Sequence, residues 1–589
     1  MDDLRPERLL KDPAKLRQHL ASRVARGPIE DASEFCELFG STVIEGIHGT
    51  TLIDDLEAAW DYASEGLQQL ERSAHTARNS TPPHESEAFK AHQRLAALIL
   101  GGYQRAIEDL RGTRDPWLRK PHRLIALTRC ADLLSRIALL RRQFYQDLPP
   151  GFWFSLHALL LEGERTGLLR KTMQDPLSGR TPRSLEDRYI ALALFDTDGP
   201  EGIPSNEMAP LHAFLLQLAP LTCISGSPRA SDEPLIHIRL EHDEPPCLEH
   251  GMKSLPANDS RLIDPGAIIR ALQKALAQSG GDHLYVKDCA VMLSRSTVER
   301  CIERLIERPR RSAPRSAVED ISCVWAGRAS IIHRLQQRAE TPNAWQDCLD
   351  APPPPRSEEA QAPMHLDREG VDRAPPETLR LRPLQTPHTA SELWDMVSRR
   401  RPVVSGEPSR AAPGKPAALG EAPNVARNQR GWSVMDASLH GLHLRGPSGA
   451  VQQLKIGDPI LIEFPSAARD GIVIGTLRWQ KMLTEGHIDI GIQVLAHSAL
   501  PLRASGPRNN TTEWFDAFIM TQPTLGHAPL IMLPNNNYHA GMSVMTTHEG
   551  AMVPLRLGRK MMQTAGIAVF QFREDSAFED AAPHNTPKI

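Results

Sequence analysis

The chain has 589 residues, which is too long for a single hydrophobic core, so several domains are expected. Charged residues make up 24% and hydrophobic residues 40%, as in ordinary globular proteins, and a net charge of -4 excludes a global attraction for nucleic acid or anionic lipid. The first residues are charged, and no run reaches the roughly 18 apolar residues that a membrane helix needs. We therefore expect a cytoplasmic protein that inserts into no membrane and binds no nucleic-acid polymer.

Helical periodicity dominates the first part of the chain, residues 1–225. Apolar residues recur at three- and four-residue steps in segments such as 123–148 and 152–169. Ser184 and Asp187 have the spacing of a capping box at the start of a later helix. Helical hairpins in series predict a stacked array with a surface for a protein partner. Tetratricopeptide repeats are one form of such an array, although no repeat period is detected.

A mixed α/β connector is predicted for residues 226–310, where a strand-like segment precedes two amphipathic helices. Within it, His237, His242, Cys247 and His250 are residue types that bind zinc. Their spacing matches no common zinc pattern, so we interpret the histidines as exposed loop residues and expect no metal. The eight cysteines form no C-x-x-C pair, which favours reduced thiols.

The composition changes at residues 341–426, which contain 15 of the 49 prolines. Apolar periodicity is weak there, so the segment is interpreted as a mostly disordered insert with one short helix. A strand-like segment, "EDISCVWAG", lies just before the insert. We expect it to be the first strand of a barrel whose first part is residues 311–340.

Short alternating segments separated by glycine and charged turns follow the insert. Residues 427–507 are predicted to complete the small antiparallel barrel, and residues 508–575 to form a further small β unit. The last residues, 576–589, are expected to be a disordered tail. The predicted fold class is therefore α+β with several domains.

The segment "GWSVMDASLHGLHL" contains Asp436, Ser438 and Gly441 in the pattern D-x-S-x-x-G. This pattern is expected by chance about 0.1–0.2 times in a chain of this length, so it is modest support for a ligand site. The alternative is an ordinary hairpin in which the aspartate and serine cap turn amides.

Downstream, the strand "GTLRWQ" containing Arg478 and the strand "GIQVL" accompany that motif. Here the chain resembles the PilZ domain, a small β-barrel family that binds the bacterial second messenger cyclic di-GMP. The resemblance implies an arginine pair spaced R-x-x-x-R before the first barrel strand. Arg311 and Arg315 have this spacing and precede the predicted first strand. Arg427 and Arg430 lie nearer to the motif but have a different spacing, and they are the alternative pair.

The residue types suit the implied ligand. A guanidinium group matches guanine O6 and N7 in a bidentate way and stacks on bases. An aspartate accepts from guanine N–H groups, a serine donates or accepts, and a glycine permits close approach of the backbone. The expected ligand-binding residues are Arg310, Arg311, Arg315, Arg430, Asp436, Ser438, Gly441 and Arg478.

These inferences predict a protein that is not an enzyme, with no catalytic residue and no cofactor. The resemblance implies an effector that couples cyclic di-GMP binding to a protein partner of the helical array. Outputs implied by the family are motility, pili, adhesion and exopolysaccharide. The alternative is a scaffold whose PilZ-like barrel binds no nucleotide.

Overall fold

The computed structural model of the chain describes residues 12–23, 25–40, 46–77, 86–111, 119–173, 182–197, 199–226, 234–249, 260–286, 290–306, 316–338, 429–438, 440–447, 454–464, 471–483, 486–505, 514–520, 524, 529–535, 538–548, 551–564 and 566–575. The insert at 341–426 and the tail at 576–589, both predicted from composition, lie outside the described residues. The chain divides into two compact units. The first comprises residues 1–311 with 446–456 and 479–489, and the remaining residues form the second.

Helices form the N-terminal part of the first unit. Their bounds are α1 Pro13–Ala21, α2 Pro28–Leu38, α3 Gly49–Ala77, α4 Glu87–Arg111, α5 Lys120–Gln143, α6 Phe152–Thr166, α7 Leu185–Asp196 and α8 Ser205–Leu218. The predicted capping box is confirmed at α7, where the Asp187 N–H donates to Ser184 Oγ at 3.1 Å. In return, the Ser184 N–H donates to the Asp187 carboxylate at 2.8 Å, so donors at the helix start are satisfied.

Charged hydrogen bonds join the long helices of this unit. Arg129 of α5 donates to both carboxylate oxygens of Glu57 in α3, at 2.9 and 3.0 Å. The Tyr103 hydroxyl of α4 donates to the same carboxylate at 2.6 Å. Between α5 and α7, Arg142 donates to both oxygens of Asp196, at 2.7 and 3.0 Å. Bidentate pairs of this kind require one relative position of the two side chains, so they define the register between these helices.

The connector in the first unit contains a small antiparallel sheet, a hairpin and two helices. The elements are β1 Ile224–Ser225, β2 Leu235–Arg239, β3 Cys247–Glu249, β4 Ser260–Ile263, α9 Gly266–Gln278, β5 His283–Val286, β6 Val291–Ser294 and α10 Arg295–Ile306. The sheet order is β1-β4-β2-β3, and β5 pairs with β6.

His237 lies in β2 and is only 4% exposed, so its interpretation as an exposed loop histidine is wrong. The reason is tertiary. β2 is an inner strand of the sheet, and β3 and β4 flank the histidine on either side.

A closed antiparallel barrel follows, and most of its residues belong to the second unit. Its elements are β7 Ser316–Ala326, α11 Arg328–Arg338, β8 Gln429–Ser438, β9 Gly441–Pro447, β10 Pro459–Phe464, β11 Gly471–Met482 and β12 His487–Ala496. The strand order around the ring is β10-β11-β12-β9-β8-β7, and β7 pairs with β10 to close it. β7 is the strand predicted before the insert, and it pairs with β8, which follows the insert. The barrel is therefore split in the sequence, as predicted.

A second closed barrel follows. Its strands are β13 Ala499–Ser505, β14 Trp514–Met520, β15 Leu530–Pro534, β16 Ser543–His548, β17 Ala551–Gln563 and β18 Ile567–Glu574. Their order is β13-β14-β15-β18-β17-β16, and pairing of β13 with β16 closes the ring. Because β13 pairs with β14 rather than with the first barrel, the second barrel includes residues upstream of the 507/508 boundary drawn from the sequence.

Apolar residues of both barrels form one core in the second unit. The cluster includes Trp325 of β7, Ile331 of α11 and Leu461 of β10, together with Phe518 of β14 and Val569 of β18. The predicted fold class is confirmed, since a helical N-terminal region precedes antiparallel barrels. Among the described helices, none is both long and apolar enough to span a bilayer.

Candidate functional site

The D-x-S-x-x-G motif forms the hairpin between β8 and β9. Ser438 ends β8, Gly441 begins β9, and the two residues are cross-strand partners. The Ser438 hydroxyl donates to the Gly441 carbonyl oxygen at 3.3 Å. The motif therefore has a local structural role, because it closes the turn that joins the two strands.

A β-bulge determines the face on which Asp436 lies. Val434 pairs with Leu444, but the next pair is Asp436 with His443, so β8 has one extra residue between the two pairs. Cross-strand partners share a face, whereas neighbours along a strand point to opposite faces. Because Leu444 is buried in the barrel, His443 and Asp436 lie on the outer face. Without the bulge, Asp436 would share the inner face of Val434.

The outer face of this hairpin carries four polar groups of different chemistry. The Asp436 carboxylate lies 3.3 Å from His443 Nδ1, with 24% and 19% of the two side chains exposed. Arg445 lies two residues beyond His443 and pairs with Ser433, so it shares this face and is half-buried. Together with Ser438, these side chains offer hydrogen-bond acceptors, donors and positive charge to a polar ligand.

Sequence reasoning missed His443 and Arg445, although the signal was present. In "GLHLRG", Leu442 and Leu444 alternate with His443 and Arg445. Since both leucines are buried, the alternation directs the histidine and arginine outward.

Most of the arginines predicted to bind the ligand cannot be located among the described residues. Arg310, Arg311, Arg315 and Arg427 lie outside the described residues. Arg430 lies in β8 with Cys323 as its cross-strand partner, but its side chain also lies outside the described atoms.

The strand that follows Arg315 in the sequence is well defined. β7 begins at Ser316, which pairs with Ala437, and the next residue, Ala317, pairs with Asp436. The start of β7 therefore lies beside the Asp436–Ser438 end of β8.

Arg478 lies on β11 and is half-buried. In the barrel ring, two strands separate β11 from β8 in either direction. Arg478 is therefore on no strand adjacent to Asp436, because β11 pairs with β10 and β12 instead. The structure brings Asp436, Ser438 and Gly441 together in one hairpin, and Arg478 lies on a strand that does not pair with either strand of that hairpin.

These features define a multidomain protein with a polar outer face on one hairpin of a split barrel. Residues 14–230 match the family model described as the N-terminal domain of the cyclic-di-GMP receptor FimW. The match covers a little over a third of the chain, from α1 through β1, and ends before the barrels. No curated protein and no solved structure matches the chain.

Proposed function

We propose that the protein is a cyclic di-GMP-binding effector whose nucleotide site is the outer face of the β8–β9 hairpin together with the Arg311–Arg315 segment. The observation that carries this proposal is the pairing of β7 with β8. The strand that follows Arg315 lies beside the motif residue Asp436, although the paired residues Ala317 and Asp436 are 119 positions apart in the sequence. The match of residues 14–230 to a cyclic-di-GMP receptor family supports the same ligand independently of the barrel.

The described start of β7 lies at the hairpin. Ser316, the first described residue of β7, is the cross-strand partner of Ala437, and Ala317 is the partner of Asp436. Arg311 and Arg315 precede this strand in the sequence by five positions and by one position. The support for the proposed arginine pair is therefore its sequence position before a strand that pairs with the motif.

The chemistry of the face suits the two halves of the ligand. Guanine offers N–H donors to the Asp436 carboxylate and offers O6 and N7 acceptors to an arginine. The Arg445 guanidinium complements phosphate charge, and the His443 ring can donate a hydrogen bond to a phosphate oxygen. Recognition of this kind breaks no covalent bond, so the proposed activity is binding rather than catalysis.

Binding would bring the arginine segment and the hairpin onto one ligand and so change the population of conformations that a protein partner meets. In this proposal the partner contacts the helical N-terminal region. Motility, pili, adhesion and exopolysaccharide are the outputs implied by the PilZ resemblance.

A scaffold without nucleotide is the second candidate, and one observation favours it. The polar groups of the motif already have partners within the hairpin, because Asp436 pairs with His443 and Ser438 donates to Gly441. A ligand must compete with these contacts, which lowers the net gain from each new hydrogen bond.

Isothermal titration calorimetry of the full chain with cyclic di-GMP tests the proposal. One bidentate arginine contact contributes about 1–3 kcal/mol, so Arg315→Ala should weaken binding about 5- to 150-fold. Asp436→Asn keeps the side-chain shape but removes its charge, and it should also weaken binding. The matched control is Arg556→Ala with Arg559→Ala, two exposed arginines of β17 in the second barrel. The control should bind like the wild type.

The other possible results of the titrations would move the nucleotide site or favour the scaffold. Loss of binding only in the Arg427→Ala and Arg430→Ala variant would move the arginine site to that pair. Binding that is unchanged in all of these variants would place the nucleotide away from the hairpin. A folded wild-type chain that binds no cyclic di-GMP would favour the scaffold.

A further inference from the structure

The small sheet of the connector brings together a histidine, a cysteine and a glutamate. His237 of β2 pairs with Cys247 of β3, and Leu235 pairs with Glu249. Cys247 and Glu249 are two residues apart on one strand, so both side chains share a face with His237. One ligand atom of each side chain lies within 4.8 Å of the other two.

We propose that His237, Cys247 and Glu249 form a binding site for a divalent transition metal, with zinc as the expected ion. His237 Nδ1 lies 3.1 Å from Glu249 Oε1, and Cys247 Sγ lies 3.6 Å from the same oxygen. Zinc binds sulfur at about 2.3 Å and nitrogen or oxygen at about 2.0–2.1 Å. A tetrahedral angle then separates sulfur from oxygen by about 3.6 Å and nitrogen from oxygen by about 3.3 Å. The two observed separations are close to these values.

The histidine is oriented for this role. Its ring is 4% exposed, and Nε2 lies 3.1 Å from Ser260 Oγ in β4. A hydrogen bond from Nε2–H to that hydroxyl leaves the Nδ1 lone pair directed toward Cys247 and Glu249. Metal-binding histidines commonly use their second nitrogen in this way, because the outer hydrogen bond sets the tautomer and the ring plane.

The ligand types select the class of metal. A thiolate and an imidazole favour zinc and copper, whereas calcium and magnesium prefer oxygen ligands alone. Three protein ligands leave the fourth tetrahedral position to water. Because the thiol must lose its proton, metal binding should release protons and tighten as the pH rises.

The proposed ion would link the short edge strand β3 to its neighbour β2. β3 has three residues and lies at the end of the sheet order β1-β4-β2-β3. Without metal, β3 is held to the sheet by its pairing with β2 and by the contact between His237 and Glu249. A metal bond to residues of both strands would add a cross-link between them.

The test uses the purified full chain. The chain is loaded with Zn²⁺, unbound ion is removed by gel filtration, and the retained metal is measured. In parallel, a Co²⁺ titration follows the thiolate-to-cobalt charge-transfer band. The wild type should retain one ion per chain and develop the band. Cys247→Ser should lose the band, and Glu249→Gln should weaken metal retention. Cys223→Ser is the matched control, because Cys223 is an exposed cysteine outside the cluster.

Two results would overturn the proposal. One is a wild-type chain that retains no zinc and gives no cobalt–thiolate band, which needs no variant to interpret. The other is a band that persists in Cys247→Ser or disappears in Cys223→Ser. Far-UV circular dichroism of each variant shows that the fold is kept.

Discussion

The ion pair between Arg142 and Asp196 gives a sharp prediction for the helical unit. The two side chains are 10% and 1% exposed and share two hydrogen bonds between α5 and α7. Burial alone would lower the pKa of Arg142, but the Asp196 carboxylate together with Glu201 and Asp147 outweighs burial and raises that pKa above its ordinary value. Asp196→Asn keeps the shape of the side chain and leaves the guanidinium charge buried without its main partner.

Removing one partner of a buried pair destabilises a protein by about 3–5 kcal/mol. Two other carboxylates, Glu201 and Asp147, lie 3.6 and 3.7 Å from Arg142 and compensate in part. We therefore expect a loss at the lower end, about 3 kcal/mol. The unit that contains the pair has about 330 residues, so with an unfolding entropy of about 2.1 cal/mol/K per residue this loss corresponds to a melting temperature lower by about 4 °C.

Thermal unfolding of the full chain, followed at the far-UV helical signal, measures this effect. Hydrogen exchange should show lost protection in α5 and α7. The control is Lys90→Gln, which removes an exposed pair with Glu87, where 48% and 68% of the side chains are accessible, and it should not change the melting temperature measurably. If Asp196→Asn melts like the wild type, the buried pair does not have the role assigned to it.

Two further predictions concern a close backbone approach and a buried carboxyl group. A Cβ atom on Gly475 would overlap the Gln493 carbonyl oxygen, so Gly475→Ala should destabilise the first barrel by about 2 kcal/mol and lower hydrogen-exchange protection in β11 and β12. Burial raises the pKa of Asp55 to about 7, and its carboxylate oxygens have no hydrogen-bond partner among the described residues. The folded chain therefore keeps this proton longer than the unfolded chain, so stability falls as the pH rises from about 4 to about 7. Asp55→Asn should remove this loss and raise the melting temperature more at pH 8 than at pH 5.

The predictions for Gly475 and Asp55 can each be contradicted by a specific result. Gly101 lies in α4 with open space around its Cα atom, so Gly101→Ala should stabilise the helix by about 0.5–1 kcal/mol rather than destabilise it. Equal destabilisation by both alanine variants would contradict the contact assigned to Gly475. For Asp55→Asn, a gain in melting temperature that is the same at both pH values would contradict the assigned titration.

The local elements of this fold could be predicted from the sequence because their signals are local. Three- and four-residue apolar spacing predicted the helices, and the capping box at Ser184 is set by residues three positions apart. Alternation in "EDISCVWAG" predicted β7, and its position before the proline-rich segment predicted a barrel split in the sequence. The hairpin at Ser438 and Gly441 was one of the two interpretations of the motif. It could be predicted because turn formation depends on adjacent residues.

Other features depend on which distant strands pair, and only the tertiary structure decided them. The bulge between Val434 and Asp436 turns the carboxylate outward, and a one-residue shift is invisible in an alternating pattern. The ring order places Arg478 on a strand that does not pair with the hairpin, and the flanking strands bury His237 beside Cys247. Strand pairing between residues remote in the chain brings side chains together independently of their spacing in the sequence, so local pattern alone does not determine these neighbours.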